Sequence, residues 1–162
     1  MSIVAGISGF RRNAAVALAH SGNLAAVCEQ GRLSRVRDVG IEIGGFPEEA
    51  LQATIEIAQI SRENLKGMVI AEEGVDLPER SELHRFDHHL GHAATAFLTS
   101  ALDDSLVLVC DTNTGRELTV WRGANGKLEE VPLGWQGPGF ASVYSRLTKG
   151  LSLHPGRDEY KV

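Results

Sequence analysis

Three of the six histidines in this 162-residue chain fall within five positions, in the stretch Phe86-Asp87-His88-His89-Leu90-Gly91-His92. If Asp87 accepts a backbone N–H and opens a helix there, His88 and His92 lie one turn apart and project from the same face. Two imidazoles at that spacing suit a single cation. His89 is turned by about 100° around such a helix, which casts it as a supporting donor behind the ligands or as a substrate contact. Asp111 is the third candidate ligand, because it ends the apolar run Leu106–Cys110 that follows the helix. In an α/β layer, strand ends and helix N-termini gather ligands in one crevice. Two imidazoles and one carboxylate are the set typical of ferrous iron, with zinc and manganese as alternatives. Each residue also has a structural use: solvated or core histidines at a helix start, and a carboxylate capping the loop Thr112 to Thr114.

Anion-binding chemistry is available elsewhere. Two glycine-bearing loops, Gly6 to Phe10 and Asp111 to Gly115, each follow an apolar run. In such loops backbone N–H groups can approach phosphate oxygens without an intervening side chain. Ser8, Gly9, Thr112, Asn113, Thr114 and Gly115 are the nucleotide- or phosphate-binding candidates, together with Arg37. Arg11 and Arg12 follow the first loop, and Arg32, Arg35 and Arg37 form a second basic segment. Guanidinium groups grip phosphate or carboxylate in a two-pronged fork, though a solvated charged loop uses the same residues. Lys149 reads as a cation near a helix C-terminus before Gly150.

The elements that must position these groups come in two copies. Ser2–Ser8 reads as a strand, followed by a glycine loop and two strands around Ser21-Gly22-Asn23, where residues tolerant of positive φ predict a hairpin. A helix starts near Pro47, with Glu48 and Glu49 at its positive end and Leu51, Ile55 and Ala58 on one face. Leu65–Glu73 supplies a fourth strand, and the histidine helix and a fifth strand, Asp104–Asp111, come next. The order then restarts: strand, loop, strand, a hairpin at Ala124-Asn125-Gly126, strand, and a helix over Phe140–Gly150. The expected fold is α/β, an actin-like, RNase H-like duplication with one complete mixed-sheet domain over 1–103 and the start of a second over 104–162. In that architecture two related domains grip a nucleotide between their first loops, so ATP is the expected small molecule.

Composition narrows the function classes. Sixteen basic residues against twenty-one acidic ones give a formal charge of −5, which argues against a nucleic-acid-binding surface. Hydrophobic residues make up 43% of the chain, without a run long enough to span a bilayer or a secretory leader, so a cytoplasmic, membrane-free protein is expected. Cys28 and Cys110 sit in apolar stretches and read as buried thiols. An unfinished second repeat predicts an exposed sheet edge, and with it a homodimer or strand exchange.

Taken together and in order, "GISGF", "GRLSRVRDVG", "GGFPEEA", "DHHLGHAATAF", "LVLVCD", "VWRG" and "PGRDEYKV" resemble the N-terminal region of the NodU/CmcH-type O-carbamoyltransferases, which act on nodulation factors and antibiotics. The resemblance runs from Ile3 to Val162, and "DHHLGHAATAF" and "GGFP" are its most specific parts. It implies a two-part enzyme. One part makes carbamoyl adenylate from carbamoyl phosphate and ATP, and the N-terminal, threonylcarbamoyltransferase-like part passes the carbamoyl group to the hydroxyl of a small-molecule acceptor. Carried over by motif, His88, His92 and Asp111 hold an iron-type metal near the phosphates, a further acidic ligand lies beyond Val162, and Arg37 contacts the phosphate or the carbamoyl group. The chain alone is then expected to be inactive without the remaining C-terminal half. Arg12 and Asn13 stand where the family has histidine and aspartate, and neither serves as a base. The alternatives are an actin-fold phosphotransferase or nucleotide hydrolase that uses Asp111 as its catalytic carboxylate, and a non-catalytic partner-binding module.

Overall fold

The computed structural model describes residues 3–71, 83–111 and 116–162. They form two compact units, Met1–Asp87 and His88–Val162. In the first unit β1 (Ile3–Ser8), β2 (Ala15–His20) and β3 (Asn23–Glu29) make an antiparallel meander. Ser21 and Gly22 both take positive φ, 50° and 81°, so the β2–β3 hairpin closes with the two-residue turn whose twist matches its strands. Two short helices follow, α1 (Gln30–Ser34) and α2 (Ile41–Gly44), then α3 (Glu48–Ile57). β4 (Leu65–Ile70) returns parallel to β1, and β5 (Leu83–Arg85) pairs parallel to β4, giving the order β3-β2-β1-β4-β5. Alternate residues of the strands, Ile3, Ala5 and Ile7 with Val16 and Leu18, turn inward and meet Leu51 and Ile55 of α3 in one core.

The second unit opens with α4 (His88–Leu98), followed by β6 (Asp104–Cys110), β7 (Leu118–Ala124) and β8 (Lys127–Val131) in a three-stranded antiparallel sheet. Its hairpin repeats the same turn chemistry, with Asn125 at φ 52° and Gly126 at φ 71°. Ala93 and Phe97 of α4 bury against Val107, Val109 and Trp121. Gly123 makes that contact close, since a Cβ there would stand 2.5 Å from the Phe97 ring. α5 (Phe140–Gly150) is tied to β7 at its first turn: the Gly139 N–H donates to a Glu117 carboxylate oxygen at 2.6 Å. Hydrogen bonds from the Ser142 side chain and the Gly139 N–H, with the nearby Arg146 charge, hold the Glu117 carboxyl below the usual carboxylate range.

Several expectations change in detail. The division lies at 87/88 rather than 103/104, because the apolar face of the histidine helix packs on β6 and β7. The first sheet gains a strand that was not expected, Leu83–Arg85, while Asp104–Cys110 opens the second sheet where the second repeat was expected to begin. Cys28 is half-buried and Cys110 is exposed, both as free thiols, because Cys110 shares its face of β6 with the exposed Leu106 and Leu108. Among the described residues no helix is long and apolar enough to cross a membrane.

Candidate metal centre

The helix start, one turn of α4 and the end of β6 bring His88, His92 and Asp111 together within the second unit. His88 Nε2 lies 2.8 Å from Asp111 Oδ2, His92 Nε2 lies 3.0 Å from the same oxygen, and the two Nε2 atoms are 3.0 Å apart. The rings meet edge to face, with centroids 4.7 Å apart and planes at 83°. His88 and Asp111 are largely buried, at 16% and 12% side-chain exposure, and His92 opens the site to solvent at 53%.

Hydrogen bonding alone does not account for this triangle. An imidazole proton lies in the ring plane along one direction, so neither Nε2 can donate to both of its neighbours. Whichever tautomers are assigned, one edge of the triangle sets two lone pairs or two protons against each other. A cation resolves all three contacts at once, because two neutral imidazoles and a carboxylate then aim their electron pairs at it. The donor set therefore fits a divalent metal.

His89 takes the other side of the helix. It is fully buried, and its Nδ1 shares a hydrogen bond of 2.8 Å with the Thr119 hydroxyl, which also accepts the Trp121 indole N–H at 2.9 Å. That burial leaves it a supporting role and keeps it from solvent-borne substrate. Thr119 and Trp121 were not candidates in the sequence. The signal available was their period-two spacing on one face of β7, since an inward threonine hydroxyl needs a partner. Beside the triad, desolvation pushes the Cys110 thiol up, so it stays neutral near pH 7.

The remaining candidates lie in the first unit or outside the described residues. Ser8 is the exposed last residue of β1. Gly9 has φ 84°, and a Cβ there would run into the Asn13 carbonyl, so the loop's own closure requires glycine. The Gly9 carbonyl accepts the Ile41 N–H at 3.1 Å. Arg37 is 95% exposed, 3.7 Å from Asp38, and lines a cleft of about 310 Å³ with Asn13, Arg32 and Arg35. Arg12 and Asn13 are exposed. Thr112, Asn113, Thr114 and Gly115 lie outside the described residues.

No family model and no curated protein matches the sequence. Solved structures do match in fold. YeaZ from Pseudomonas aeruginosa superposes with a TM-score of 0.55 at 10% identity, over 84% of this chain and 72% of that one. An uncharacterised protein with similarity to peptidase YeaZ from Pseudomonas aeruginosa gives 0.54 at 10% identity, over 97% of this chain and 82% of that one. At such identity the likeness concerns architecture alone, and with the five-stranded mixed sheet it makes this an α/β chain of the actin-like ATPase-type fold.

Proposed function

We propose that this chain is the metal-holding part of a carbamoyltransferase, which passes a carbamoyl group from carbamoyl adenylate to a substrate hydroxyl. The observation that carries the reading is the triangle of His88, His92 and Asp111, whose donors converge at 2.8 to 3.0 Å. The reaction is suggested by the stretches that resemble O-carbamoyltransferases, and the actin-like fold is consistent with the nucleotide use it requires. Two imidazoles and one carboxylate are the donor set typical of iron(II), with zinc and manganese as alternatives. A bound metal would supply Lewis-acid charge for phosphate and carbamoyl oxygens.

The chain's own residues set the rest. His88 and Asp111, sheltered from water, fix two donor positions, and the half-exposed His92 leaves the approach open. His89 holds the helix turn between the two ligands against β7 through Thr119. Arg37, in its cleft, is the proposed contact for a phosphate or the carbamoyl group, and Ser8 and Gly9 on the one hand and Thr112 to Gly115 on the other are proposed phosphate-binding loops. Arg12 and Asn13 cannot accept the hydroxyl proton at neutral pH. That feature favours, as the second reading, a partner-binding module that kept the fold and the metal.

Calorimetric titration with a stable carbamoyl-adenylate analogue separates the readings. Binding that requires added metal and is lost in His88→Ala supports the transferase. Metal-independent binding of ATP points to a hydrolase or phosphotransferase, and binding of neither nucleotide points to the module.

A further inference from the structure

The arginine cleft of the first unit is built more tightly than a solvated loop requires. Arg32, Arg35 and Arg37 line it beside Asn13, around a volume of about 310 Å³. Its backbone is tied to the loop after β1, since the Ala14 N–H donates to the Val39 carbonyl at 2.8 Å and the Gln30 N–H to the Ala14 carbonyl at 2.8 Å. That closure requires glycine twice: a Cβ on Gly31 would stand 2.7 Å from the Val36 carbonyl oxygen, and one on Gly40 would run into the Arg11 backbone. Of the seven non-glycine residues with positive φ among the described residues, three line this one cleft: Asn13 at 53°, Arg35 at 57° and Asp38 at 55°. Asparagine and aspartate enter that region readily, but arginine does not. Arg35 is the left-handed C-cap of α1, where glycine is the ordinary choice. Backbone strain kept at such a position points to function.

Charge in the cleft suits an anion. Glu29 engages Arg32 at 2.9 Å and Asp38 stands 3.7 Å from Arg37, so among the described residues Arg35 is left without a carboxylate partner. We propose that this cleft binds the phosphate group of a small phosphate ester, held by the guanidinium forks of Arg35 and Arg37 with the Asn13 amide beside them. A phosphate ester offers three acceptor oxygens and about two negative charges, enough for two forks at once, whereas a carboxylate fills one. The proposal rests on the reading of Arg37 as a phosphate contact and extends it to Arg35 and Asn13, with no part taken by the metal.

Calorimetric titration of the whole chain with inorganic phosphate, in chelator and at low salt, tests this. Phosphate should bind saturably in the millimolar range, glycerol 3-phosphate at least as tightly, and acetate roughly tenfold more weakly. Arg37→Gln should weaken phosphate binding by about tenfold or more, and Arg62→Gln, which lies outside the cleft, should leave it unchanged. Arg35→Gly separates binding from folding: with the left-handed strain relieved, its Tm should stay at or above that of wild type while phosphate binding falls as in Arg37→Gln. A wild type that does not bind phosphate overturns the proposal. Phosphate binding that is unchanged in both Arg35→Gly and Arg37→Gln overturns it as well, as does acetate that binds as tightly as phosphate. Since no metal is present, such a failure leaves the metal-dependent binding of the adenylate analogue to stand. Loss of that binding with phosphate binding kept strikes the transferase reading and leaves the cleft.

Discussion

Replacing Thr119 by valine should damage the second unit more than a surface strand substitution would. Valine keeps the shape and the β propensity but removes the one oxygen that serves both the Trp121 indole N–H, at 2.9 Å, and His89 Nδ1, at 2.8 Å. His89 is fully buried and Trp121 is 6% exposed, so water replaces the lost partner poorly. Leaving a buried polar group unsatisfied costs about 1–3 kcal/mol, so two groups with some relaxation suggest a loss of roughly 2–4 kcal/mol. For a unit the size of His88–Val162, each kcal/mol corresponds to about 4–8 °C in Tm. The assay is urea and thermal unfolding by circular dichroism on wild type, Thr119→Val and Thr119→Ser. Serine restores the hydroxyl and should recover most of the loss. The reasoning fails if valine lies within about 0.5 kcal/mol of wild type, or if serine is as harmful as valine.

Other expectations rest on separate contacts. Glu117→Gln removes a charge held at the N-terminus of α5, where its carboxyl lies below the normal range. A carboxyl lowered on folding stabilises fully above its unfolded value, near 4.3, and that contribution is lost as pH falls through the folded value. Stability curves of wild type and Glu117→Gln should therefore converge in acid and separate above about pH 5; parallel curves would contradict the anchor. Gly123→Ala puts a Cβ 2.5 Å from the Phe97 ring and should destabilise by about 1–3 kcal/mol in the same unfolding assay, with a neutral result contradicting the tight α4–β7 contact.

Much of the architecture was legible because local chemistry and tertiary structure agree. Ser21-Gly22 and Asn125-Gly126 fit only turns with positive φ, and both hairpins form there. Leu51 and Ile55 mark the buried face of α3 by spacing alone. The histidine pair and Asp111 were readable for the same reason: a helical interval fixes two side chains on one face, and a strand end brings the third. The boundary between the units was not legible. The apolar face of α4, with Ala93 and Phe97, would suit either sheet, and only the pocket between Val107, Val109 and Trp121 decides. The short helices α1 and α2 carry no sustained periodicity, and α1 ends with Arg35 in a left-handed conformation that its residue type does not announce. Cys110 looked buried because its neighbours are apolar, yet half of those neighbours face outward.

The central claim, that His88, His92 and Asp111 converge on one cation, is tested most directly by titrating the metal-free chain with cobalt(II) and recording the visible spectrum. One equivalent should bind and give the visible bands of protein-held cobalt, and the signal should vanish in His88→Ala and in Asp111→Asn. Bands that persist unchanged in both variants would place the cobalt elsewhere and contradict the triad. Absence of any bound cobalt would contradict the site itself.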